Sequence, residues 1–163
     1  MNRIGIDPEG RFSIGGENFL ITVPVKERRL SNSEAFTIAK NEPYLRVYED
    51  LASAFSPRSI LELGIFEGGS YVLLDKLFKP RRMSAVDKSR DAVKALCKYV
   101  TGREGRFVHF STSQSDRKFW KISSGMNLRT SSISWLTMRP ILTNRRRCPL
   151  KFSSRCSSPA ASI

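Results

Sequence analysis

The stretch 59–70, with the sequence SILELGIFEGGS, constrains the fold of this chain more than any other part. It begins with a short apolar run, becomes glycine-rich at Gly64, Gly68 and Gly69, and continues into a helical pattern. A strand, a glycine turn and a helix in this order are typical of a nucleotide-binding crossover in α/β proteins. Glycine lets the backbone approach a ligand because it carries no Cβ, and the helix directs free N–H groups at the turn.

The spacing of this motif is E-x-G-x-x-x-G-G-S, rather than the G-x-G-x-x-G of dinucleotide enzymes. A glutamate two residues before the first glycine suits a ligand with a cationic end. The motif resembles that of the class I S-adenosylmethionine (SAM) dependent methyltransferases, in particular the small-molecule O-methyltransferases grouped with the cephalosporin-hydroxylase and macrocin-type enzymes. The residues that this resemblance places at the methionine end of SAM are Glu62, Gly64, Gly68, Gly69 and Ser70. The alternative is a tight strand–helix turn that binds no ligand.

A second motif is Asp87, which follows a short apolar strand predicted at residues 83–86. A carboxylate about 20 residues beyond a glycine turn, at the end of the next strand, is placed to accept both ribose hydroxyls. The resemblance implies this role for Asp87. The alternative role is a helix cap, but Ser89 is already predicted as the N-cap of the next helix.

A helical spacing of apolar residues up to Val100 and an apolar run at residues 106–110 predict one more helix and a third strand. The polar turn 111–116 follows. The resemblance implies that residues just past the third strand border the adenine, which makes Ser113, Gln114 and Asp116 candidate ligands. The alternative, of equal weight, is a polar turn that caps a following helix.

The predicted fold class is therefore α/β: a partial doubly wound, Rossmann-like parallel sheet of three strands with intervening helices. Residues 35–119 are predicted to form the SAM-binding half domain. Residues 1–34 are predicted to form an N-terminal cap, in which alternating apolar residues indicate a hairpin across residues 15–18.

A helix is predicted to begin at Asn41, because Pro43 lies in its first turn. Three aromatic residues and one leucine recur at spacings of four, three and four along it: Tyr44, Tyr48, Leu51 and Phe55. An aromatic stripe at this spacing is usually part of the core, so we expect these side chains to be buried.

Residues 120–163 are predicted to form an irregular basic tail. All 15 acidic residues precede Arg117, so the formal charge of +13 is in large part a property of the tail. Two alternative functions remain open. One is a NAD-binding or other nucleotide-binding Rossmann protein, and the other is a basic nucleic-acid-binding protein that uses the arginines at residues 145–147.

The tail also suggests a translation in the wrong reading frame. Read from Trp120 in the frame offset by two nucleotides, the permitted codons include an apolar segment LDLVV, then Asp-Asp, a helical pattern and Pro-Gly-Gly. This order resembles the fourth strand, the fourth helix and the turn before the fifth strand of the same methyltransferases. A natural basic tail is the alternative.

The resemblance implies SAM as cofactor and a small-molecule methyl acceptor, with transfer by direct displacement at the sulfonium. The acceptor-side residues would follow the fourth strand, so this chain is expected to be truncated and inactive. No metal site is predicted, because the three cysteines lack metal or disulfide spacing. The sequence shows no signal peptide and no membrane span, so we expect a cytoplasmic location, no membrane partner and no specific nucleic-acid partner.

Overall fold

The structure is a computed structural model, and it describes residues 3–23 and 29–117. Its strands and helices, in chain order, are β1 (Arg11–Ile14), β2 (Glu17–Ile21), β3 (Phe36–Ile38), α1 (Glu42–Ala54), β4 (Ser59–Leu63), α2 (Gly69–Phe78), β5 (Arg82–Val86), α3 (Lys94–Val100) and β6 (Arg106–His109). The predicted tail, residues 120–163, lies outside the described residues. No helix in the described ranges is long and apolar enough to cross a membrane.

Residues 59–109 contain a parallel sheet with the strand order β4-β5-β6. Helices α2 and α3 are the two crossovers, and the register aligns Leu63 with Val86 and Val86 with His109. The carboxyl ends of the three parallel strands therefore lie at one edge of the sheet, together with the loops that follow them. The predicted α/β class, with three parallel strands and helices between them, is confirmed at this level.

A second, smaller sheet has the strand order β1-β2-β3. Strands β1 and β2 form the predicted antiparallel hairpin, whose turn contains Gly15 and Gly16, both with positive φ. Strand β3 pairs with β2 in parallel and was not predicted. The small sheet is held by aromatic packing, since the rings of Phe12 and Phe19 are stacked with centroids 4.9 Å apart.

Helices α2 and α3 lie between the two sheets. Right-handed crossovers that proceed in one direction place α2 and α3 on the same face of the parallel sheet. The small sheet covers these helices from the other side: the ring of Phe36 in β3 contacts that of Tyr99 in α3 edge-on at 5.7 Å. At the start of α2, a Cβ on Gly69 would lie 2.3 Å from the carbonyl oxygen of Thr37 in β3. Only glycine permits this close approach of a helix to a strand.

The two faces of the parallel sheet have different surroundings. Side chains on the helix-covered face, such as Ile60, Met83 and Ala85, belong to the main apolar core. The aligned residues that point the other way form a face that we call the outer face, and they are Leu61, Leu63, Ser84, Val86, Phe107 and His109. None of the three described helices packs on the outer face, and the side chain of Phe107 is 38% exposed. Within the described residues, β4 is an edge strand that is paired on one side only.

Helix α1 begins where predicted, with Asn41 as its N-cap, but it buries a different face. Tyr48 is buried as expected, whereas Tyr44 is 48% exposed and Phe55 is 38% exposed. The buried face instead combines Tyr48 with Leu45 and Glu49. The carboxylate of Glu49 accepts a hydrogen bond from the backbone N–H of Ile4 and pairs with Arg46 at 2.9 Å. Helix α1 is thus rotated so that this polar anchor for the N-terminal segment lies on its buried face, whereas Tyr44 and Phe55 are turned outward.

The prediction that Ser89 is a helix N-cap is wrong. Helix α3 begins at Lys94, and Val93 is its N-cap residue. The hydroxyl of Ser89 instead accepts a hydrogen bond from the backbone N–H of Asp91 at 3.2 Å. Residues 89–91 therefore form a local polar turn that precedes the helix by several residues.

Candidate functional site

The glycine turn, residues 64–68, leads from β4 into α2 at the carboxyl edge of the parallel sheet. Gly64 N–H donates to Val86 O at 2.9 Å, which extends the pairing of β4 and β5 by one residue. The backbone then takes left-handed conformations at Gly64, Phe66 and Gly68, with φ of 91°, 54° and 80°. Glycine adopts such values freely, whereas phenylalanine rarely does. The turn therefore needs two glycines for its path and holds one phenylalanine in an unfavourable conformation.

Two of the predicted ligand glycines have packing reasons of their own. Gly68 is the N-cap of α2, and a Cβ there would lie 2.9 Å from the side chain of Leu96. Gly69 packs against Thr37 as described above. These packing contacts account for both glycines without a ligand.

A pocket opens beside the glycine turn, and we call it the turn pocket. It is lined by Ala39, Lys40, Glu62, Gly64, Ile65, Phe66 and Ser70. Three of the predicted site residues, Glu62, Gly64 and Ser70, are thus brought together. The sequence prediction missed Ala39 and Lys40, which directly follow β3. The one sequence feature that could have pointed to these two residues is their position just before the N-cap of α1.

Glu62 is the chemically distinctive group of the turn pocket. Its side chain forms a hydrogen bond with Ser70. Its Oε2 atom is buried, and the described residues offer that atom no hydrogen-bond partner. Burial raises the pKa of Glu62 to about 8; Ser70 and the charge of Lys40 oppose this rise, and Asp87 adds to it. The carboxyl group is therefore largely protonated at neutral pH and is suited to ionise when a cationic group enters the pocket.

Asp87 lies at the end of β5, next to the glycine turn. Its Oδ2 atom accepts hydrogen bonds from the backbone N–H groups of Ile65 at 2.6 Å and of Phe66 at 3.4 Å. Its Oδ1 atom accepts from the backbone N–H of Ser89 at 2.6 Å. Because β4 and β5 are paired in register, the structure brings this carboxylate to the turn despite the long intervening crossover. Asp87 thus fixes the backbone of Ile65 and Phe66, two residues that line the turn pocket.

The predicted adenine-side residues lie in the loop after β6. Ser113 is partly buried, and its hydroxyl accepts from the backbone N–H of Ser115 at 3.2 Å, whereas Gln114 is exposed. The loop is tied to the site through Thr112, whose N–H donates to Asp87 O at 2.9 Å. The structure therefore places Ser113 and Gln114 near the carboxyl edge but not in the lining of the turn pocket.

Comparison with protein-family models, with curated proteins and with solved structures gives no match to this chain. The geometry of the turn pocket is therefore the basis for any functional proposal.

Proposed function

We propose that the described region is the cofactor-binding half of a SAM-dependent methyltransferase that acts on a hydroxyl group of a small molecule. The proposal includes a partial doubly wound, Rossmann-like arrangement of the parallel sheet. The observation that carries it is Glu62: a buried carboxyl with one unpartnered oxygen lines a pocket at a glycine turn. SAM has a cationic end of the kind that such a carboxyl would bind.

The residues of the turn pocket suit the amino-acid end of this cofactor. Glu62 would ionise against the cationic groups, because an opposite charge at hydrogen-bond distance favours the charged form of a carboxyl. Lys40 lines the same pocket and carries a charge that suits the carboxylate of the ligand. The start of α2, where the helix dipole is positive, adds to this anion-binding character.

Asp87 would accept the ribose hydroxyls at the opposite side of the glycine turn. It lies at the carboxyl end of the neighbouring parallel strand, which is where a ligand that follows the sheet edge would extend. Ser113 and Gln114 belong to the next loop along the same edge, and in this proposal they approach the adenine when the ligand is bound. The ligand would therefore run from β4 to β6 across the strand ends.

Transfer of the methyl group requires an acceptor site as well as a cofactor site. The protein's part in a displacement at the sulfonium is to position the acceptor hydroxyl and to remove its proton. In the frame-slip hypothesis, the acidic residues for this task belong to the fourth-strand segment of the other reading frame. We propose that the present chain binds the cofactor without transferring its methyl group.

The proposal is tested by calorimetry of the full chain with S-adenosylhomocysteine, the product form of the cofactor. We expect saturable binding that Asp87→Ala weakens by roughly 1.5–3 kcal/mol, because charge-assisted hydrogen bonds to the ribose are lost. Asp91→Ala is the matched control, since Asp91 is an exposed carboxylate nearby. Equal affinities of Asp87→Ala and the parent would remove Asp87 from the site.

Measurements with NAD distinguish the SAM proposal from a dinucleotide-binding protein, which would share the glycine turn and the carboxylate. A thermal shift with NAD, or competition by NAD against S-adenosylhomocysteine, would favour the dinucleotide. No binding of S-adenosylhomocysteine by the parent would overturn the proposed function.

A further inference from the structure

The carboxylate of Asp87 already accepts hydrogen bonds from the protein backbone. A carboxylate offers about four acceptor positions, two on each oxygen. Three backbone N–H groups occupy three of them: Ile65 and Phe66 on Oδ2, and Ser89 on Oδ1. One position on Oδ1 therefore remains for a ligand.

A ribose diol brings two hydroxyl donors to this carboxylate. A single free position can receive one of them, so the second hydroxyl must replace a backbone N–H. The three N–H groups differ in the strength of their hydrogen bonds to Asp87. Those of Ile65 and Ser89 lie at 2.6 Å, whereas that of Phe66 lies at 3.4 Å and forms the weakest of the three bonds.

The backbone conformation of Phe66 also favours a change at this residue. Its φ of 54° is in the left-handed region, where a phenylalanine is strained, and its neighbours in the turn do not share this cost because Gly64 and Gly68 are glycines. Phe66 lines the turn pocket, so a change of its backbone changes the shape of the pocket directly. Ile65, by contrast, is fully buried, and its carbonyl accepts from Gly68 N–H at 2.9 Å.

We propose that the glycine turn is a ligand-operated switch in which Asp87 is the positioning residue. In the free protein, Asp87 holds the N–H of Phe66 and keeps the turn closed. A ligand with a vicinal diol takes that position on the carboxylate, and the turn opens at Phe66 as the pocket fills. This inference rests on the proposed function. It adds a step in which binding of the ribose changes the shape of the turn pocket, where the methionine end of the ligand would bind.

The test is backbone amide hydrogen exchange of the full chain, followed residue by residue by NMR. Saturation with S-adenosylhomocysteine is expected to speed exchange at Phe66 by about tenfold, the effect of losing one hydrogen bond. The N–H of Ser89 is the internal control and is expected to keep its protection. The 2′-deoxy analogue of the ligand has only one ribose hydroxyl, which fits the free position, so at saturation it should leave Phe66 unchanged.

A variant gives an independent measurement in the free protein. The side chain of Asp87→Ala has no acceptor oxygen, so it holds none of the three N–H groups. We expect exchange at Phe66 to be fast in this variant before any ligand is added, whereas the exposed control Asp91→Ala should behave like the parent.

The outcomes separate this inference from the proposed function. Saturable binding of S-adenosylhomocysteine with unchanged or slower exchange at Phe66 would overturn the switch and leave the proposed function standing. The same exchange rate with the ligand and with its 2′-deoxy analogue would also overturn the switch. Failure of S-adenosylhomocysteine to bind would overturn both.

Discussion

The guanidinium group of Arg106 lies 2.8 Å from Oδ1 of Asp75, and this pair joins β6 to helix α2. The other carboxylate oxygen, Oδ2, accepts a hydrogen bond from the hydroxyl of Tyr99 in α3 at 2.8 Å. Asp75 is only 6% exposed. One buried carboxylate thus ties together both crossover helices and the last strand of the parallel sheet.

Removal of this carboxylate is expected to destabilise the fold strongly. Asp75→Ala leaves the charge of Arg106 without its buried partner, which typically costs about 3–5 kcal/mol. Tyr99→Phe removes one hydrogen bond and should cost about 1 kcal/mol. Chemical denaturation gives both values. The control is Glu42→Ala, because Glu42 forms an exposed pair with Arg46, and exposed pairs contribute little to stability. Equal losses for Asp75→Ala and Glu42→Ala would contradict this prediction.

Glu62 should make the stability of the protein depend on pH in an unusual direction. Its folded-state pKa of about 8 lies above the ordinary value of 4.5, so the folded state retains a proton that the unfolded state releases. The free energy of unfolding should therefore fall as the pH rises from about 4.5 to about 8, by at most about 1.4 kcal/mol per pH unit. Glu62→Gln should remove this contribution.

The measurement is the free energy of unfolding of parent and Glu62→Gln at several pH values across this window. The variant should gain stability relative to the parent as the pH rises. Glu9→Gln is the control, because Glu9 is exposed, and its difference from the parent should stay flat. A constant difference for Glu62→Gln would show that the Glu62 carboxyl is ionised throughout.

The contact between α2 and β3 predicts a large effect of a single methyl group. Gly69→Ala would place a Cβ 2.3 Å from the carbonyl oxygen of Thr37, so backbone must shift, and we expect a loss of about 1–3 kcal/mol. Gly5→Ala is the matched control, because a Cβ there meets no atom within 4 Å. Thermal or chemical denaturation should rank the two variants in this order. A Gly69→Ala protein as stable as Gly5→Ala would mean that β3 does not approach α2 so closely.

The outer face and the open edge of β4 predict poor solubility of the chain. Leu61, Leu63 and Phe107 point to a face on which no described helix packs, and unpaired apolar strand edges tend to pair with other chains. The other reading frame after Phe119 offers an LDLVV strand and a following helix, which would extend the sheet beside β4 and cover that face. We expect the frame-restored chain to be more soluble.

Expression of both versions side by side tests this idea, with soluble monomer and binding of S-adenosylhomocysteine as the readouts. A Leu61→Lys change in the present chain is a useful comparison, since it lowers the apolar character of the outer face without adding a strand. If the frame-restored chain is neither more soluble nor a better binder than the present one, the frame-slip hypothesis loses its main support.

The parallel sheet was predictable because its elements carry regular signals. Strands β4, β5 and β6 are short apolar runs, and the helices between them show helical spacing with clear stops, such as Pro80 after α2. Strand β3 was missed because three residues are too few to show alternation, and its partner β2 lies across a long connection. Three-residue strands are defined by their partners and not by their own sequence.

The site was predictable only where it lies on one continuous motif. Glu62, Gly64 and Ser70 are close in sequence, so their meeting in the turn pocket follows from a strand–turn–helix unit. Lys40 enters the pocket through tertiary packing of β3 against α2, which no local pattern encodes. The bonds from Asp87 to the glycine turn also depend on tertiary structure, because they require β4 and β5 to be paired in a particular register.

Strand β3 gives the small sheet an influence on the shape of the turn pocket. The two residues that follow it, Ala39 and Lys40, form one wall of the turn pocket, and the strand itself is fixed by its pairing with β2. Substitutions in the hairpin can therefore move that wall without touching any residue of the glycine turn. Under the proposed function, such substitutions would alter the size of ligand that fits the turn pocket, while Glu62 and Asp87 stay the same.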